Sequence, residues 1–206
     1  MPKEKGLCKI EGDSVKKVVV KVDINYHGAP FYYGTKPLIP LSTVEASFKG
    51  SNTSKVTNME SMFYNCSGLT SLDLSNFDTS KVTSMGYMFI NCSGLTSLDL
   101  RNFNTSNVTY MNSMFSNCSG LTSLDLRNFN TSNVTNMNSM FSDCSKLTSL
   151  ELSGWDTSNL TTIGFMFRGC TKLKTIRMVG CLGATITKIQ NQLKEDNITG
   201  FTIVTE

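Results

Sequence analysis

The stretch CSGLTSLDLRNFNTSNVTYMNSMFSN, Cys92–Asn117, decides the fold. The next 26 residues, Cys118–Asp143, repeat it with two changes, Tyr110 to Asn136 and Asn117 to Asp143. The same frame continues in both directions. Met-Phe pairs fall at Met62-Phe63, Met88-Phe89, Met114-Phe115, Met140-Phe141 and Met166-Phe167, and cysteines at Cys66, Cys92, Cys118, Cys144 and Cys170. A fixed period of this size is the mark of stacked units and not of a conventional globule.

Each unit divides into three parts. L-x-x-L-x-L predicts a strand at Leu69–Leu74, Leu95–Leu100, Leu121–Leu126, Leu147–Leu152 and Leu173–Met178. Alternation in its second half turns two side chains inward and the residue between them outward. An aromatic follows three positions on, at Phe77, Phe103, Phe129 and Trp155, and then a turn such as Asp78-Thr79-Ser80 or Asn104-Thr105-Ser106. Side chains of this type bond to nearby backbone N–H groups. The run V-x-x-M-x-x-M-F-x-x-C spaces its apolar residues three or four apart, which predicts a short 3₁₀ or loose α turn. One unit buries too few side chains to offset the ordering of its backbone, so stacking is required.

The flanks depart from the frame. Residues 1–40 do not repeat; Val15–Ile24 reads as a strand, His27–Pro30 as a turn and Phe31–Tyr33 as a return strand, so that the segment makes either a hairpin over the first rung or an arm that joins another chain. The array occupies 41–181, with a worn first strand at Thr43–Phe48. Worn terminal units are expected where an end rung meets water. Residues 182–206 read as a helix-strand cap: Ile186–Leu193 has helical spacing, and Ile198, Phe201 and Ile203 repeat the strand pattern one residue short of register.

Composition excludes several classes. The formal charge of +3 on 206 residues is too mild to imply nucleic acid. No apolar run is long enough to insert in a membrane, and the start, MPKEKGLCKIEG, has no apolar core of a secretory signal. Five of the seven cysteines follow the repeat, while Cys8 and Cys181 do not. Zinc sites need close cysteine pairs, which this spacing does not supply. The thiols read as a row of reduced, buried small hydrophobes.

The repeated motif resembles a known family. Leu72-Asp73-Leu74-Ser75-Asn76-Phe77-Asp78-Thr79-Ser80-Lys81-Val82-Thr83, with V-x-x-M-x-x-M-F and the following cysteine, is similar to the repeats of BspA-type leucine-rich-repeat surface proteins of bacteria. The resemblance spans about residues 43–181. It implies an α/β right-handed leucine-rich-repeat solenoid, with a parallel sheet on one face, short helical turns opposite and end caps. It also implies a place at the cell surface or outside the cell, and adhesion to a host or neighbouring-cell protein or glycan.

No catalytic constellation is present. The single histidine, His27, lies in a turn, and neither a phosphate-binding loop nor H-E-x-x-H occurs. A non-enzymatic binding module without cofactor or metal is the expectation, and a structural spacer in a larger surface or phage-like particle is the alternative. Stacking lines up Asp73, Asp99, Asp125 and Glu151, with Arg177 next in line. Like charges about 5 Å apart repel by about 0.8 kcal/mol in water and about 3 at an effective dielectric of 20. Arg101 and Arg127, two residues beyond their acids, are candidates to offset this, as is a bound cation or basic ligand group. The row is therefore either a solvated face or a binding face. A copied surface suits a repeating polymer and avidity. Specificity would then come from the residues that break the repeat, Tyr64, Tyr87, Ile90, Tyr110 and Arg168. A third reading, ice or mineral binding, rests on the threonine row Thr79, Thr105, Thr131 and Thr157, which lies in turns.

Overall fold

A computed structural model describes the backbone of residues 17–19, and residues 45–48 and 50–206. They form a parallel β-solenoid with 26-residue turns and little helix. The strands are β1 (Lys17–Val19), β2 (Glu45–Ser47), β3 (Ser71–Asp73), β4 (Ser123–Asp125), β5 (Ser149–Glu151), β6 (Thr175–Arg177) and β7 (Thr202–Val204). A helix, α1 (Gly183–Glu195), stands between β6 and β7. All the pairings are parallel, so Ser71, Leu72 and Asp73 face Glu45, Ala46 and Ser47, and Asp125 faces Glu151, which faces Arg177.

The strands are shorter than L-x-x-L-x-L suggests, three residues each, because the chain bends away at the corner after each acid. In three of these corners an Asp side chain caps the bend: the N–H groups of Ser75, Arg101 and Arg127 donate to Asp73, Asp99 and Asp125. Ser97–Asp99, predicted as a strand, pairs with neither neighbour among the described residues. The strands therefore form two sheets, β1-β2-β3 and β4-β5-β6-β7.

The interior is built from side-chain columns. In one rung Leu121, Leu124, Leu126, Phe129, Val134, Met137, Met140, Phe141 and Cys144 are all buried. Phe63, Phe89, Phe115, Phe141 and Phe167 stack face to face at 5.3–5.9 Å. The cysteine column holds free thiols, as its apolar surroundings predict. Cys92, Cys118, Cys144 and Cys170 donate their Sγ–H to the carbonyls of Phe63, Phe89, Phe115 and Phe141 at 3.0–3.1 Å. Burial pushes Cys118 and Cys170 up to about 12.

The run V-x-x-M-x-x-M-F is not helical. Its amides alternate between two kinds of partner. Those of Met111, Ser113, Phe115 and Asn117 donate to Asn136, Asn138, Met140 and Ser142 of the next rung at 2.7–2.9 Å, while those of Met114, Ser116 and Cys118 donate back three residues within the rung. Ser113 (φ 54°) and Asn117 (φ 57°) take the left-handed conformation that breaks a helix at every fourth residue. The same left-handed positions recur at Asn65, Asn91 and Asp143. This turn edge is thus a second hydrogen-bonded ladder, and it stays continuous where the sheet opposite is broken.

The threonine row is internal. Thr79, Thr105, Thr131 and Thr157 are buried. Thr131 Oγ1 donates to the Asp156 carbonyl and accepts from the Asp156 N–H, both at 2.8 Å. These hydroxyls tie one rung to the next, which removes the exposed plane that ice or mineral binding needs.

The C-terminal end substitutes side chains for the missing next rung. Phe141 donates its N–H to the Met166 carbonyl of the following rung; Phe167 donates instead to Asp196 Oδ2 at 2.8 Å. Lys188 Nζ donates to the carbonyls of Thr157 and Leu160 at 2.8 and 3.2 Å. Ile189 and Leu193 of α1 are buried on the last rung. The final strand differs in register from the sequence reading: Ile203 pairs with Ile176, one residue beyond the 26-residue step and not one short of it. The helix consumes more chain than a rung's turns do. At the other end, β1 falls inside the predicted Val15–Ile24 strand and pairs parallel with β2. The hairpin partner Phe31–Tyr33 lies outside the described residues.

Candidate functional site

Of the acidic row, strand pairing sets Asp125 beside Glu151 and Glu151 beside Arg177, and arginines hold Asp99, Asp125 and Glu151. Arg101 grips Asp99 with two bonds, Nε to Oδ1 at 2.9 Å and Nη2 to Oδ2 at 2.6 Å. Its guanidinium and backbone bonds hold the exposed Asp99 carboxyl down to about 2. Arg127 donates to Asp125 at 3.0 Å and reaches Glu151 at 3.7 Å. Burial acts to raise Asp125, but its bonds to Arg127 outweigh that and leave it lowered. Glu151 is the most enclosed acid of these pairs and the meeting point of two arginines, since Arg177 Nε reaches it at 3.1 Å. Ser153 also donates its Oγ–H to Glu151. Asp73 accepts from Ser47 Oγ at 3.2 Å.

The structure therefore brings Asp125, Glu151, Arg127 and Arg177 into one network, keeps Asp99 with Arg101 as a separate pair, and places Asp73 at the far side of the sheet break. The ion pairs of Glu151 with Arg127 and Arg177, which join neighbouring rungs, lie where the sheet is continuous. Across the break a cleft of about 400 Å³ opens, lined by Leu72, Asp73, Leu74, Ser75, Asp99, Arg101 and Asn102. Leu72 and Leu98 are half-buried there, while Leu124, Leu150 and Ile176 in the same column are fully buried. Among the described residues no cluster of side chains is arranged to hold a metal ion.

Around the turn edge, the large exposed apolar side chains are Tyr87, Tyr110 and Phe165. Two were singled out as breaking the repeat; Phe165 was not. It occupies the column of Ser61, Tyr87, Ser113 and Ser139, so comparing rungs column by column would have found it. The Arg168 guanidinium lies over the Phe165 ring, 5.7 Å from its centre.

Residues 40–124 and 96–177 match the model of a family described as Mycoplasma protein of unknown function, DUF285. The chain belongs to this family. The two overlapping matches shift along one array, as a family defined by a repeat requires. No curated protein matches the chain. Among solved structures it is similar to a leucine-rich repeat protein from Bacteroides ovatus ATCC 8483, at 20% identity and a TM-score of 0.54, over 94% of this chain and 43% of that one. The DUF285 chain thus spans less than half of that protein's length. It is also similar to the T. pallidum leucine-rich repeat protein TpLRR, at 16% identity and a TM-score of 0.45, over 93% of this chain and 92% of that one. The first likeness identifies the solenoid as leucine-rich-repeat-like, and it bears on the fold alone.

Proposed function

We propose that this chain is a non-enzymatic binding module that holds a protein or glycan through side chains copied along its outer faces. The observation that carries the reading is the division between interior and surface. The cysteine column and the Thr79, Thr105, Thr131 and Thr157 column are buried and spent on bonds between rungs, whereas Asp99, Asp125, Arg101 and Arg127 face water at a constant step, as do Thr96, Thr122 and Thr148, of which Thr148 also donates its hydroxyl to the Thr122 carbonyl. A surface of copies favours many weak contacts to an extended partner. The resemblance to BspA-type surface proteins supports adhesion and a place at the cell surface or outside the cell.

The arginine-acid network is the first candidate contact surface. Asp99, Asp125 and Glu151 present carboxylates to basic or hydroxyl groups, and Arg101, Arg127 and Arg177 present guanidinium groups to acidic ones. Their mutual pairing offsets the like-charge repulsion, so the reading needs no bound cation. The test is an array of polysaccharides and matrix proteins probed with the intact chain and with the Asp99→Ala, Asp125→Ala, Glu151→Ala variant, its fold checked by circular dichroism. Binding lost in the folded variant supports the strand face. Binding kept by both moves the site elsewhere on the surface. No binding by the intact chain removes the binding-module reading in favour of a spacer.

A further inference from the structure

The residues that break the repeat are not spread evenly. Strand-face columns are nearly constant, as in Thr70, Thr96, Thr122 and Thr148, or Ser71, Ser97, Ser123 and Ser149. The corner column Ser75, Arg101, Arg127, Ser153 and Val179 changes, and so do several columns of the turn edge. Both differences between the twin rungs fall there, at Tyr110/Asn136 and Asn117/Asp143. So do the exposed rings: Tyr87 is 36% exposed, Tyr110 50% and Phe165 59%.

Tyr87 and Phe165 share one column, and the other rungs place Ser61, Ser113 and Ser139 in it. The column is left-handed, with φ 59° at both rings. Bulky side chains rarely sit in that conformation, and such strain gathers at functional sites. Each ring follows a glycine, Gly86 and Gly164, where the serine rungs have Glu60, Asn112 and Asn138. A Cβ on Gly86 would come 3.0 Å from Asn112 Oδ1, and one on Gly164 3.8 Å from Asn138 Oδ1. Gly86 is buried beneath the Asn112 side chain and Gly164 is partly exposed beside Asn138, so each glycine makes room for an asparagine of the neighbouring rung next to the ring.

We infer that Gly86-Tyr87 and Gly164-Phe165 are platforms for the sugar rings of an uncharged, extended glycan lying along the solenoid axis. This rests on the binding-module reading and names its ligand class. The negative face of an aromatic ring attracts the C–H hydrogens of a sugar face. The partly exposed Asn112, Ser113 and Ser139 bring amide and hydroxyl groups that pair with sugar hydroxyls in either sense. Those side chains and both glycines carry no charge, and Phe165 stays 59% exposed with the Arg168 guanidinium 5.7 Å from its ring centre. The rings are three rungs apart, and a rung step is 5.3–5.9 Å where the phenylalanines stack. A protein partner fits less well, because its anchors gather at the centre of one dry patch. Here amides and hydroxyls separate the rings.

The test is affinity electrophoresis of the full chain in gels holding neutral or acidic polysaccharides, with immobilised matrix proteins probed in parallel. The variant is Tyr87→Ser with Phe165→Ser, which installs the residue that three other rungs already carry in this column. The expected result is retardation by a neutral polysaccharide, about tenfold or more weaker in the double variant. Equal retardation of the intact chain and the double variant would overturn the inference. Retention by matrix protein or acidic polysaccharide alone would overturn it and leave the binding-module reading standing. Retention by nothing would overturn both.

Discussion

At the scale of single residues, the hydroxyl of Thr131 shows what a threonine in this repeat is for. It is buried and both donates to and accepts from Asp156 of the next rung. Thr131→Val keeps the shape and strands both partners, so a loss of about 1–3 kcal/mol is expected from urea unfolding. The D/N-T-S turn was legible, and its Asx bonds are present, as in Ser132 N–H to Asn130 Oδ1. The inward aim of the threonine was not legible, since a hydroxyl in a polar turn reads the same whether it meets water or the neighbouring rung. The carboxylates give a pH signature. Asp78, Asp99, Asp125 and Asp156 are all lowered, Asp99 to about 2. A carboxyl with a folded pKa below its unfolded value stabilises the fold only while ionised. That stabilisation is complete above the unfolded value of 3.8 and is lost as pH falls toward about 2. The melting temperature should therefore hold steady near neutral pH and fall below about pH 4. Iodoacetamide labelling read site by site should find Cys92, Cys118, Cys144 and Cys170 protected in the native chain and modified after unfolding.

At the scale of elements, two ladders hold the rungs, and only one was foreseen. The strand pattern was readable because alternation has a single structural meaning. The M-x-x-M-F spacing was not, because helical periods and successive turns place inward residues at the same intervals. The distinguishing signal was the recurring Asn65, Asn91 and Asn117, a residue that tolerates the left-handed conformation. The sheet break had no local signal, since Leu95–Leu100 and Leu121–Leu126 are identical in sequence. It accompanies the arginine pattern: Arg101 is bound to its own rung's acid, and Arg127 reaches across to the next. The phenylalanine stack predicts that Phe115→Ala costs about 3–5 kcal/mol by urea unfolding. The helical cap makes its own prediction. Asp196→Ala leaves the Phe167 N–H without its acceptor and should lower stability by about 1–3 kcal/mol, with the loss of hydrogen-exchange protection centred on the last rung.

At the scale of the whole molecule, stability is a sum of rungs and the contacts between them. Excising one complete twin, residues 118–143, joins like to like and should leave a folded, shorter particle in small-angle scattering. Removing 183–206 instead exposes the last rung's core and should yield aggregation. Repetition also bears on the candidate sites. The alignment of Asp125, Glu151 and Arg177 was legible because a strict period forces them into line, whereas the separation of Asp73 and Asp99 from them was not. The aromatic platforms were only half legible, because they become visible when each rung is read as a departure from its neighbours. The central claim is that a repeated surface reads an extended ligand. Its most direct test compares binding of the intact chain to each polymer of a polysaccharide and matrix-protein panel with binding to that polymer's free unit, the monosaccharide or a short peptide. The account predicts at least one polymer bound about a hundredfold or more tighter than its unit. Equal affinity for polymer and unit, or no binding anywhere on the panel, would contradict it.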